Sequence, residues 1–297
     1  MVVGDRIPWS LPLKLQARML TAVATIALAV SLLDHRLGLQ VPFTPIPFQI
    51  VGVALAILMG FRNNAAYDRW WEGRKLWGGI VNTSRAWARQ ALTLAVTDDA
   101  ERRSLVLRHV AWVHALGAQL RGQDGAAAAA PFLPEGELER LRGQKNFAAA
   151  LIHEQGVAIA RLAPATSEER LARLDASLTE LIGLQGGCER IASTPLPLAY
   201  RFFTGQFVRG YCLVLPLGLV EHLGFFTAIV VALVSFVFLV AETIGRLLEA
   251  PFTTGAYGLP LSTIARNIEI NLRQQLGDTE LPSPLPPQKL GPVDNLL

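Results

Sequence analysis

The sequence predicts an all-α membrane protein with a helical cytoplasmic layer, and three observations carry that expectation. Of 297 residues, 51% are hydrophobic and 17% charged, with a mean hydropathy of +0.34. That is too apolar for an ordinary soluble chain of this length and too charged for one embedded throughout. The charge is also segregated: residues 43–61 and 223–241 hold no charged side chain apart from the chain's flanks, whereas residues 102–190 are polar at helical spacing. No period-two alternation competes with the helical pattern.

The spans follow in order. Residues 19–33 are shorter than the roughly 20 residues a bilayer crossing needs. Lys14 and Arg18 can snorkel, however, and residues 11–15 can extend the helix at the interface. Residues 43–61 make a second span, with Pro45 and Pro47 near its start, where a missing amide is tolerated. Residues 210–220 contain Pro216 and are short, but an amphipathic lead-in over 198–209 lengthens them to a third. Residues 223–241 are the fourth, set off by Glu221-His222. Residues 34–42 hold Arg36 as their one Lys or Arg and Glu221-His222 holds none, whereas Arg6, Lys14 and Arg18 precede the first span. The positive-inside bias then places both hairpin tips outside and both termini in the cytoplasm.

The expected organisation is therefore residues 1–90 for two spans with the second helix running on into the cytosol, and 91–197 for a cytoplasmic helical domain. Residues 198–250 supply the other two spans, and 251–297 a C-terminal helix and Pro-rich tail. In the middle segment, residues 91–118 read as one helix, 126–130 with Pro131 as a small-residue break, and 137–163 and 167–191 as further helices. Ser167 ahead of Glu168 and Glu169 predicts an N-cap with acid in the first turn. The tail from Leu281, with Pro282, Pro284, Pro286 and Pro287, predicts an extended or disordered segment.

Several function classes lack support. The net charge of +3 comes from scattered basic residues, which positive-inside bias explains without a nucleic-acid partner. Cys188 and Cys212 have neither a disulfide framework nor metal-ligand spacing and read as structural thiols. His109 and His114, five apart, do not share a helical face, so neither a metal site nor a proton relay is favoured. Glu242 and Arg246 read as an ordinary i,i+4 pair where the fourth span exits. Gly186-Gly187-Cys188-Glu189-Arg190 reads as a close-packing or cap feature, and no arrangement of nucleophile and base points to an enzyme.

The second span carries the most informative pattern. Residues four apart share a helix face, so Val53, Ile57 and Phe61 form an apolar stripe flanked by Gly52 and Gly60. Packing against another helix of the same subunit is the plainer reading of that spacing. The alternative is several copies around an axis, which would turn the stripe into stacked apolar rings able to gate by dewetting. At about 100° per residue, Asp68 and Glu72 fall within about 20° of Phe61, with Arg62 and Arg69 at the flank. The carboxylates would then form acidic vestibule rings that enrich cations. Salt bridges from Asp68, Arg69 and Glu72 to adjacent helices weigh equally.

Residues 61–85, FRNNAAYDRWWEGRKLWGGIVNTSR, closely resemble the signature of the bestrophin ion-channel family. So do residues 186–197, GGCERIASTPLP, with Tyr200, and Ala250-Pro251-Phe252 ahead of Arg266-Asn267-Ile268-Glu269-Ile270-Asn271-Leu272. These matches occur in order over most of the chain, and the bacterial branch is the most similar. The resemblance implies a homopentamer with four membrane helices per subunit, a central ion pathway and a helical cytoplasmic vestibule, in a bacterial inner membrane. It places Val53, Ile57 and Phe61 at a hydrophobic neck and Leu171 at a second, cytoplasmic constriction, and it makes Arg69, Trp70 and Trp71 a structural signature.

One departure stands out. Animal members bind calcium through an acidic run after the Pro-Phe pair, and here Thr253-Thr254-Gly255-Ala256-Tyr257-Gly258 supplies no carboxylate. Calcium takes six to eight oxygen ligands, several of them charged, so no metal, no other cofactor and no calcium gating are expected. The sequence-based expectation is passive monovalent-ion flux leaning to cations. An anion channel like the animal members is the alternative, with a transporter or a non-conducting scaffold as the readings of other classes.

Overall fold

The computed structural model describes residues 10–37, 44–255, 257–286, 288–290 and 293–295. Its helices are α1 Ser10–Leu37, α2 Ile46–Thr93, α3 Asp99–Gln119, α4 Gly125–Ala129, α5 Glu135–Leu141, α6 Phe147–Arg161, α7 Glu168–Ser193, α8 Leu198–Leu223, α9 Thr227–Leu248 and α10 Leu261–Gln275. Contacts group the chain into two compact units, Gly4–Trp70 with Pro195–Ala250 and Trp71–Thr194 with Pro251–Leu297. The continuous helix α2 contributes residues to both. Most of the expected connection over residues 34–42 lies outside the described residues.

The first unit is built from the apolar stretches. Gln16–Arg36, Ile46–Thr93 and Leu198–Leu248 are long and apolar enough to cross a membrane. The last divides at Gly224, whose φ of +51° lies in the left-handed region that a side chain disfavours. There α8 ends and α9 turns back against it, while α1 packs on both. Gln16 of α1 donates to Thr243 of α9, and Ser31 Oγ lies 3.3 Å from Gly224 O, so α1 and α9 run in opposite directions. A Cβ at Gly52 would lie 2.7 Å from Tyr211 Oη, and Gly218 makes similar room for Phe48, which brings the start of α2 against the end of α8. Val23, Ala27, Leu55, Met59, Val208, Cys212, Leu215, Val231 and Leu239 fill the space between. The chain buries only 22% of the residues in each apolar window. Lipid or further copies must cover the rest, because water would not.

The second unit corrects the expected helix boundaries, and capping is the physical reason. The expected helix 91–118 is two helices: α2 continues to Thr93, and Asp98 Oδ1 accepts from Glu101 N at 2.8 Å to start α3 afresh. The expected break at 126–130 folds into α4, where Asp124 Oδ1 accepts from Ala126 N at 2.9 Å and Ala127 N at 3.2 Å. The expected helix 137–163 divides into α5 and α6, and Asn146 Oδ1 caps the latter by accepting from Ala149 N at 3.1 Å. Ser167 holds the N-cap position of α7 without a capping side-chain bond. Instead the Glu169 carboxylate sits below its ordinary value, through its own amide and then the Ser167 hydroxyl. In the Pro-rich tail, β1 Gln288–Leu290 pairs antiparallel with β2 Val293–Asn295, where an extended or disordered segment was expected.

Fully buried Trp77, Trp87 and Trp112 anchor this unit, with Trp112 Nε1 donating to Gln185 Oε1 at 2.8 Å. The expected close packing at Gly187 is reciprocal. A Cβ at Gly187 of α7 would come 2.8 Å from a Leu76 methyl on α2, and one at Gly79 of α2 would come 2.8 Å from a Leu184 methyl on α7. Burial pushes His109 down to about 3, leaving a neutral imidazole between Trp87 and Trp112. The Cys188 thiol is pushed up to about 12 by burial, then by Glu189 and Glu72, which leaves almost no thiolate at neutral pH.

Helix α10 is tied to α3 by charge. His114 Nε2 lies 3.0 Å from Glu269 Oε2, and Asp278, just past α10, accepts from Arg103 at 2.6 Å and Arg273 at 2.7 Å. Hydrogen bonds from Arg103, then Arg273, hold Asp278 at about 2 against an ordinary 3.8. Because the folded value is the lower, this latch contributes stability above pH 3.8 and loses it as pH falls toward 2. Asp278→Asn is expected to flatten the acid limb of the stability curve across that window. Circular dichroism of detergent-solubilised protein titrated from about pH 5 to 2 checks it.

Candidate functional site

The membrane half of α2 has two unlike faces. Gly52, Leu55, Met59, Arg62 and Ala66 are buried by the rest of the first unit. On the other side Val53 is 61% exposed, Ile57 56% and Phe61 66%. Among the described residues no other helix of the chain buries this stripe, so the plainer reading of its spacing does not fit the described part of this subunit. Gly52 serves the expected close approach, against Tyr211, whereas a Cβ at Gly60 would meet nothing within 4 Å.

The charged residues below the stripe separate into different environments. Asp68 is exposed and belongs to none of the ion pairs among the described residues. Glu72 is paired with Arg190 of α7, so its charge is compensated within the chain, one of the two readings its position left open. Arg69 Nε donates to the backbone oxygen of Glu249 at 2.8 Å and ties α2 to the end of α9. Trp70 stacks with Tyr67 at a centroid distance of 6.5 Å, and Trp71 is half-exposed. Leu171 stands in the first turn of α7, half-buried, its amide donating to Ser167 O at 3.0 Å.

Sequence reasoning missed the role of Arg62. It is 1% exposed and lies 3.5 Å from Glu242 Oε1 and 3.8 Å from Glu249 Oε2, while Arg201 of α8 approaches Glu249 at 3.6 Å. Glu242 thus faces Arg62, and the expected Glu242–Arg246 pair does not form, because Arg246 points out from α9 while Glu242 is buried. A signal was present. Arg62 and Arg69 are seven apart on one helix and Glu242 and Glu249 seven apart on another, a matched spacing.

The turn after α9 does not suit calcium. Leu259 N donates to Pro251 O at 2.7 Å and Gly258 N to Gly255 O at 3.0 Å, so the tight turn spends carbonyl oxygens on itself. A Cβ at Gly258 would overlap Thr253 O. With no carboxylate between Thr253 and Gly258, the residues present do not fit the ligand set of that ion.

Long apolar helices, one of them bearing an uncovered face of large apolar side chains, define a predominantly helical membrane protein. Comparison with known proteins places it further. A family described as Bacterial/Fungal Bestrophin protein matches residues 13–274. The chain belongs to the bestrophin family, in its bacterial and fungal branch. It is 37% identical over 282 residues to a voltage-dependent anion channel-forming protein of Ralstonia nicotianae, covering 94% of this chain and 90% of that one. It is 34% identical over 278 residues to the similarly named YneE of Escherichia coli K12, covering 93% and 91%. A crystal structure of a bacterial bestrophin homologue from Klebsiella pneumoniae superposes with a TM-score of 0.84 at 32% identity, covering 90% of this chain and all of that one. The protein is thus a bacterial membrane protein of a channel-forming family, not an enzyme.

Proposed function

We propose that five copies of this chain surround a passive pathway for small monovalent ions, with Val53, Ile57 and Phe61 as its hydrophobic neck and Leu171 as a second, cytoplasmic constriction. One observation carries the reading: three large apolar side chains on one face of α2 are more than half exposed while the opposite face is filled. In such an assembly α1, α2, α8 and α9 are the four spans and both termini lie in the cytoplasm, as the distribution of Lys and Arg supports. Opening is independent of calcium, since the turn after α9 lacks the ligands. Asp68 follows the neck without an ion-pair partner among the described residues and raises the local cation concentration, so the pathway leans to cations. Glu72 adds less because Arg190 compensates it.

Anion passage is the second reading, favoured by the names of the Ralstonia and Escherichia relatives and by the Glu72–Arg190 pair. Purified protein in liposomes distinguishes them through reversal potentials in asymmetric potassium chloride, with and without a calcium chelator. A cation-side reversal that Asp68→Asn moves toward chloride by on the order of 10 mV supports the first reading. A chloride-side reversal unchanged by Asp68→Asn sinks it in favour of the second. Saturable coupled uptake would indicate a transporter, and no flux at all a non-conducting scaffold.

A further inference from the structure

Where the apolar stripe ends, α2 is held to α9 by polar contacts rather than apolar packing. Asn63 Nδ2 donates to Ala241 O at 3.0 Å. That approach depends on Gly245, because a Cβ there would overlap Asn63 Oδ1. The flanking charges fix the same register: Arg62 sits between Glu242 and Glu249, one heptad apart on α9, and Arg69, one heptad beyond Arg62, donates to Glu249 O. These contacts demand one rotation of α2. Turning the helix by a single residue, about 100°, would carry Arg62 out from between its carboxylates and Asn63 off the Ala241 carbonyl. The same turn would re-aim Phe61, the residue next to both.

We propose that Gly245 is a positioning residue for the ion pathway. By leaving room for Asn63 it sets the rotation of α2 and with it the direction of Phe61, an inference that rests on Phe61 belonging to the neck. Gly245 itself need touch no ion. A methyl group at this position forces either Asn63 to give up its bond to Ala241 or α2 to turn, and the first is costly because Asn63 Oδ1 is already buried with no hydrogen-bond partner among the described residues, so that losing the Nδ2 bond would leave the whole amide unpaired.

A cysteine reporter separates the rotation of α2 from conduction. The two native cysteines are buried, so Phe61→Cys in full-length protein in liposomes can be titrated with a charged, water-soluble thiol reagent. Gly245→Ala is expected to slow its modification by on the order of tenfold, as a helix turn moves the position away from the open face. Adding Asn63→Ala, which removes the overlap, is expected to restore the rate, and in the Phe61 background to restore wild-type flux. An unchanged rate in folded Gly245→Ala, or no recovery in the double variant, overturns the proposal. Should Gly245→Ala alone not fold, Gly245→Ala with Asn63→Ala must fold, and its failure overturns the proposal as well. Altered labelling in Gly245→Ala together with unchanged flux in Phe61→Ala would instead sink the neck reading and leave the positioning of α2 standing.

Discussion

Phe61→Ala is expected to raise passive ion flux through reconstituted protein by on the order of tenfold, corresponding to about 1.4 kcal/mol off the barrier. The reasoning starts from exposure. At 66% Phe61 is the most exposed of the three stripe residues, and it is the one followed directly by charge. In a ring of copies each phenyl group narrows the pathway and repels water, and an ion crossing a dry constriction loses hydration that nothing there replaces. Truncation to a methyl widens and wets the ring at once. Ile57→Ala should act in the same direction with a smaller effect, since it removes less volume. Unchanged flux in both variants would mean that the stripe does not line the pathway, whatever else covers it.

The second large effect concerns stability. Arg62→Met is expected to destabilise the membrane unit by about 3–5 kcal/mol, because it strands a buried carboxylate. Glu249 retains Arg201 at 3.6 Å, but Glu242 loses its partner among the described ion pairs. Arg62→Met combined with Glu242→Gln should recover much of the loss, since a neutral amide is far less costly to bury than an unpaired charge. The temperature at which detergent-solubilised protein loses helical structure reports the difference. Equal losses in the single and double variants would show that Arg62 acts through packing of its aliphatic stem rather than through charge.

Some of this was legible in the sequence, and its limits have identifiable causes. The apolar runs, the helical class and the face of α2 carrying Val53, Ile57 and Phe61 follow from hydrophobicity and periodicity, which the fold must respect wherever a long helix meets lipid. What spacing could not decide was whether that face met its own chain. Neighbours settle that, and Tyr211, Phe48 and the Arg62 pair occupy the opposite side. Helix ends in the second unit were misjudged wherever a capping Asp or Asn outweighed a continuing apolar period, at Asp98, Asp124 and Asn146. That Glu72 could pair with an adjacent helix was legible, but its partner Arg190 was not, for a different reason. The pair joins residues 118 positions apart, and local charge patterning favours neighbours such as Glu242 and Arg246, which the structure keeps apart.

The dependence of Phe61 on a glycine in another helix has a genetic corollary. In an assembly whose pathway takes one side chain from every copy, a subunit with a misdirected α2 spoils the ring it joins rather than only itself. A cell carrying one normal and one altered gene would then build mostly mixed rings, because subunits combine at random. Expressed beside the normal gene, substitutions at Gly245 would act dominantly, whereas changes that stop the chain from folding would withdraw the altered copy from assembly and be masked by the normal one.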